Sequence, residues 1–100
     1  MKKTTSGKKA KRLGQAQFLA ITKAVSDPQR YKILQHIAKS KDCTCADLRG
    51  ASPITAATIS HHLKELESAG LIAIARRGKF ALPTFRREVW EKYLEQLSQL

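Results

Sequence analysis

The hydrophobic repeat of this chain changes period at Gly70, and that change limits the folds open to it. Ahead of Gly70, apolar side chains return at three- and four-residue steps, the mark of helices packed through one face. Behind it, Ile72 and Ile74 share one face of an alternating run, and Phe80 and Leu82 share one after Arg77-Gly78. That pattern predicts two short strands, 71–76 and 79–83, joined as a hairpin, with Pro83 stopping the pairing. The helical step then resumes over 84–98 through Val89, Trp90, Tyr93, Leu94 and Leu97. One hundred residues support a single compact domain.

The helices before Gly70 can be placed by their punctuation. Phe18, Ile21, Thr22 and Val25 define a first amphipathic helix within 13–25. Asp27-Pro28 starts a second, with aspartate as N-cap and proline at the first helical position. It runs to about Lys39 and is expected to bury Tyr31, Leu34, Ile37 and Ala38. Residues 40–42 break it. A short third helix is expected over 44–51 with Leu48 inward. Thr55, or Ser52 just ahead of Pro53, can cap a fourth helix that extends to about Ala69, buried through Ala56, Ile59, Leu63 and Leu66. Gly70 ends it as a residue that tolerates positive φ. The expected class is mainly α with a small β-hairpin, in the order four helices, hairpin, helix: a winged helix-turn-helix.

Charge points to the partner. Nineteen Lys and Arg oppose eight Asp and Glu, for a net charge of +11. Lys2, Lys3, Lys8, Lys9, Lys11 and Arg12 stand in the first twelve residues with no acid among them, which predicts a disordered basic arm over 1–12 ahead of a domain over 13–100. The domain keeps a basic excess of its own. Such a balance suits a polyanion, because neutralising phosphates releases condensed counterions.

The fourth helix has the surface that groove reading needs. Measured from Ile59 at about 100° per residue, Ala57, His61, Lys64 and Ser68 point away from the core, flanked by Thr58 and Ser60. Short side chains on that face let the backbone approach base edges. Thr55, Thr58, Ser60 and His61 offer hydrogen bonds, the Ala57 methyl suits a thymine methyl, and Lys64 suits a phosphate. His62 falls toward the buried side and is expected to be structural. The hairpin tip gathers Arg76, Arg77 and Lys79 around Gly78, placing charge for a DNA backbone or minor groove.

Three segments carry a family resemblance. “TISHHLKELESAGLI” resembles the recognition-helix signature of the ArsR family of winged-helix repressors; “AVSDPQRYKILQHI” resembles its second-helix opening, and “ADL” its third helix. The likeness spans about residues 15–97. It implies homodimers built from the first and last helices, bound to palindromic operators in double-stranded DNA and repressing transcription. Phe18, Ile21, Val25, Trp90, Tyr93, Leu94 and Leu97 would then form the dimer interface.

Metal-sensing members of that family carry Cys-x-Cys followed closely by Asp-Leu, often with a third cysteine. Here “CTCADL” inserts one residue between Cys45 and Asp47, and Leu48 holds the third-ligand position. Residues 84–100 contain no histidine for the family's second site. On a helix, side chains two residues apart diverge by about 200°, which works against convergent thiolates. The expectation is no metal and no cofactor, with Cys43 and Cys45 as reduced thiols; a thiol-based metal or redox sensor is the alternative. No effector is identifiable.

Other classes are disfavoured. The chain has no phosphate-cradling glycine loop, no nucleophile–base spacing with supporting context and no paired carboxylates, so an enzyme is not expected. No run of eighteen apolar residues spans a membrane, and “MKKTTSGKKAKR” is not followed by a secretory apolar stretch, so the cytoplasm is expected. The rival to a sequence-specific regulator is an architectural or protein-interaction module that uses the same fold without reading bases.

Overall fold

A computed structural model describes residues 12–41, 44, 46–48 and 55–100. Its elements are α1 (Gln15–Val25), α2 (Pro28–Lys39), α3 (Ala56–Ser68), β1 (Ile72–Arg77), β2 (Phe80–Phe85) and α4 (Arg87–Ser98). Of the predicted third helix, 46–48 are helical and Leu48 is buried. Thr44 and Asp47 bracket its start: the Thr44 N–H donates to Asp47 Oδ2 at 2.9 Å and the Asp47 N–H to Thr44 Oγ1 at 3.1 Å. The Thr44 N–H, and after it the Thr44 side chain, hold the Asp47 carboxyl below its usual pKa. Residues 1–11 of the predicted basic arm over 1–12, Cys43, Cys45 and Ser52 lie outside the described residues.

The caps predicted from sequence form. Asp27 Oδ1 accepts the Arg30 N–H at 3.0 Å with Pro28 opening α2. Thr55 Oγ1 accepts the Thr58 N–H at 3.2 Å, which makes Thr55 the cap of α3. Gly70, at φ +84°, ends α3: its N–H donates to Glu67 O and the Leu71 N–H to Leu66 O at 3.1 Å, the paired bonds of a Schellman stop. The chain leaves that stop pointing directly into β1.

The core joins Ile21 and Ala24 of α1, Ile33, Leu34 and Ile37 of α2, and Ile59, Leu63 and Leu66 of α3 to Leu71, Ile72, Val89 and Tyr93. Removing a side chain such as Ile59 or Leu66 from water stabilises the fold by about 1.5–3 kcal/mol. Two stripes differ from expectation. Tyr31 is exposed and Ile33 takes its place, because the buried face of α2 is rotated toward Ile33 and Ile37. Ala56 is exposed at the first turn of α3, ahead of the core, and the remaining buried position is filled by His62.

The hairpin is longer than expected. Its register pairs Ile72 with Phe85, Ile74 with Pro83, Ala75 with Leu82 and Arg77 with Phe80, leaving Gly78-Lys79 as the tip. Gly78 has φ +62°, the conformation a two-residue hairpin loop requires. Pro83 does not stop the pairing; it is buried within β2. Alternate pairs of an antiparallel ladder exchange no N–H···O bonds, so a proline fits at such a pair. Consequently α4 begins at Arg87, with the Arg86 N–H tied to Leu71 O at 2.8 Å. Alternation puts Ile72, Ile74 and Arg76 with Phe85, Pro83 and Ala81 on the core side, and Arg77 with Phe80 and Leu82 on the outer side.

Candidate nucleic-acid interface

Helix α3 is gripped along one side and free along the other. Ile59, His62, Leu63 and Leu66 are buried, whereas Ala57, Ser60, His61, Lys64 and Ser68 are exposed and Thr58 is half-buried. The exposed face therefore runs as the 3.6-residue period predicted. Its two threonines are partly committed: Thr55 donates its hydroxyl to Thr58 Oγ1 at 2.9 Å while capping the Thr58 N–H. Thr58 keeps its own hydroxyl proton to donate. Ser60 and His61 remain the uncommitted polar groups of the first two turns, with the Ala57 methyl between them.

His62 fixes how α3 sits. It is 4% exposed, and its Nδ1 accepts a hydrogen bond from Arg30 Nε at 3.2 Å. The ring proton thus belongs on Nε2, which lies 3.5 Å from Gln29 Oε1. Arg30 also reaches the Ala24 carbonyl at 3.5 Å, while its N–H is held by Asp27. Burial is the main cause holding the His62 pKa below the ordinary histidine value; Arg30 and His61 add to it, and Asp27 opposes it. A neutral imidazole accepting from a guanidinium is the pairing these surroundings favour. The sequence placed His62 on the buried side but could not name Arg30 and Gln29, which lie 32 and 33 residues upstream.

Charge is divided between the two surfaces. Helix α3 carries Lys64 against Glu65 and Glu67, so it is not itself a basic element. The hairpin supplies the cations: Arg76, Arg77 and Lys79 are all exposed. Among the described residues the ion pair is Arg86–Glu88, at 3.2 Å, so none of the tip cations is neutralised by a carboxylate. The structure thus pairs a short-chained polar helix face with a separate cationic loop, reached through Gly70 and Leu71.

That arrangement is matched among known proteins. A helix-turn-helix domain family matches residues 25–75. The transcriptional repressor SdpR of Bacillus subtilis (strain 168) is 42% identical over 60 residues, covering 60% of this chain and 66% of that protein. A transcriptional repressor SmtB homolog of Synechocystis sp. is 34% identical over 68 residues, covering 67% and 51%. The chain therefore spans about two thirds of the first relative and about half of the second. The homodimeric winged helix-turn-helix DNA-binding domain Mb0332 of Mycobacterium bovis shares the fold at TM-score 0.70 and 22% identity, covering 90% of this chain and 89% of that one. The chain belongs to the ArsR family of winged helix-turn-helix regulators.

In this ArsR-family chain the residues expected at a dimer interface separate into three groups. Ile21 and Tyr93 are core residues, fully or almost fully buried within one protomer, and have no surface left to offer a second. Phe18, Val25 and Trp90 pack against that core with part of their surface free. Leu94 and Leu97 are exposed, at 45% and 37%. Leu19 on α1 is likewise exposed, at 50%, and the sequence reading does not single it out. It falls off the three- and four-residue stripe of α1, and an apolar residue off the stripe is the signal that could have found it.

Proposed function

We propose that this chain is a sequence-specific DNA-binding regulator, acting as a repressor and binding a palindromic operator as a homodimer. Helix α3 enters the major groove and reads bases through Ala57, Thr58, Ser60 and His61, with Thr55 at its mouth and Lys64 on a phosphate. Arg76, Arg77 and Lys79 of the wing hold the backbone or the adjacent minor groove. It works as a binding protein, not an enzyme, in the cytoplasm, and needs no cofactor. The observation that carries this reading is the division of labour just described: an uncharged reading face on α3, locked into the core by its other side, beside a cationic loop without carboxylate partners. The exposed Leu19, Leu94 and Leu97 favour pairing through α1 and α4, as does the homodimeric state named for the Mycobacterium bovis domain.

The test separates reading from holding. Sites are first selected from random duplex DNA. On the selected site His61→Ala then costs roughly 1–3 kcal/mol and relaxes base preference. Arg77→Ala or Lys79→Ala instead weakens all sequences alike and reduces the salt slope by about one unit per lost phosphate contact. Half-sites are expected about 10–10.5 bp, or a multiple, apart. Equal effects of all three variants on random DNA would overturn the reading in favour of an architectural module.

A further inference from the structure

The wing tip carries a side chain that neither the core nor the phosphate contacts account for. Phe80 is 49% exposed. The other five aromatic rings include a packed set, Phe85–Trp90–Tyr93–Phe18, to which Phe80 does not belong. Its neighbour is a cation: Lys79 Nζ stands 5.9 Å from the ring centroid. Across the ladder it is paired with Arg77. Ala75, next along β1 on the same outer face, is too small to cover the ring.

An exposed phenylalanine framed by two cations beside a tight two-residue loop suits one kind of surface. The cations match a phosphate-lined groove, and the ring matches the sugar walls and base steps at its floor. We propose that Phe80 is an apolar wedge, set by Arg77 and Lys79 into the minor groove flanking each half-site, where it partly unstacks one base step. Steps that unstack readily are the pyrimidine–purine steps TA and CA, so the wedge adds sequence preference outside the bases read by α3. The inference rests on the DNA-binding reading above and adds a specificity-determining residue to it. Phe80 itself contributes no charge, so its effect is separable from counterion release.

The experiment is a parallel selection from duplexes randomised over about 30 bp, roughly three helical turns, using the full chain and its Phe80→Ala and Phe80→Lys variants. Wild type is expected to enrich TA or CA steps in the flanks. Both variants should recover the same half-sites with indifferent flanks, Phe80→Lys doing so at higher overall affinity. On a duplex carrying 2-aminopurine at the enriched step, wild type should raise the fluorescence and Phe80→Ala should not. Affinity for that duplex should fall about tenfold in Phe80→Ala, within the range for losing one stacked aromatic, with the salt slope unchanged. Circular dichroism checks that each variant folds, as the exposed position leads one to expect. Identical flanks for wild type and variants would overturn the wedge while leaving base reading by α3 intact. Selection of no half-site by any of the proteins would instead sink the DNA reading on which it rests. Loss of self-association in Phe80→Ala, measured by sedimentation without DNA, would assign the ring to a second copy of the chain and refute the wedge.

Discussion

Acidification should loosen this protein through His62. The buried imidazole accepts from Arg30 Nε at 3.2 Å, and protonation would turn that acceptor into a second donor facing a cation. Its folded pKa lies below the ordinary value of 6.5, chiefly because burial penalises the charged ring. Between the folded pKa and that of the unfolded chain, the unfolded state binds a proton that the folded state does not. Stability is therefore fully present above about pH 6.5 and is lost as pH falls through the folded pKa. One proton sets the limit of the slope at about 1.4 kcal/mol per pH unit. Carboxylates titrate below this window: Asp27, Asp47 and Glu88 are all held below their ordinary values, Asp27 first by the Arg30 N–H. Asp27 thus stays charged across the window and tempers the effect of His62 without reversing it. Urea unfolding at about pH 7.5, 6.5 and 5.5, at fixed protein concentration, measures the slope for wild type and His62→Gln. His62→Gln lowers stability throughout, because the Arg30 bond is remade imperfectly, but should flatten the pH dependence. Equal slopes in the two proteins, or a wild type that gains stability on acidification, would refute the assignment.

Thr55→Ala removes the acceptor of the Thr58 N–H; it should cost about 1 kcal/mol and lower Tm by roughly 4–8 °C in a thermal melt. Gly70→Ala and Gly78→Ala both force a Cβ into positive φ, at about 1–2 kcal/mol each. At Gly70 the Cβ also meets the Gln17 amide, which donates to Ala69 O at 3.1 Å, whereas at Gly78 it meets open space. Denaturant midpoints should therefore rank Gly70→Ala below Gly78→Ala, and the reverse order would contradict the packing. Leu94→Glu with Leu97→Glu should yield a folded monomer by sedimentation and circular dichroism; a variant that stays dimeric would remove α4 from the interface.

Much of this fold is readable from local chemistry, and the misreadings have local causes. Asp27-Pro28, Thr55 and Gly70 are positions where side-chain or backbone constraints act within four residues, and each forms the cap or stop expected of it. The strand boundaries shifted because Pro83 was weighed as a lost donor, while the ladder offers it a pair that needs none. The face of each element is subtler. Phe80 and Leu82 alternate as a buried strand would, yet the register puts them on the face away from Ile72 and Ile74, and a single-residue slip decides which. In the candidate site, exposure of Ala57, Ser60, His61 and Lys64 follows directly from the helical period. The Arg30–His62 bond joins residues 32 apart and is set by how α2 crosses α3, which no periodicity encodes.

The two elements proposed to face DNA share one core but differ in the side-chain ties that add to it. The wing root is continuous with α4: Phe85 stacks toward Trp90 at 6.4 Å, Trp90 toward Tyr93 at 5.5 Å, and Tyr93 toward Phe18 of α1 at 5.0 Å. The Tyr93 hydroxyl meets Thr22 Oγ1 at 2.8 Å, and Gln96 Oε1 accepts the Leu13 N–H at 2.7 Å. These ring contacts and hydrogen bonds tie the wing root, α4 and α1 to one another. Helix α3 adds the His62–Arg30 bond to α2 on top of the core it shares with α1, α2 and β1. In a dimer built on the exposed face of α4, the separation of the two wings is then set by how the paired helices cross. The angle at which α3 meets the bases is set by its grip on α2. Changes at Leu94 or Trp90 are therefore expected to alter the half-site spacing recovered by selection from random duplexes, and changes at Arg30 or His62 the bases recovered within each half-site. Spacing shifts from Arg30 or His62 variants alone would refute this division.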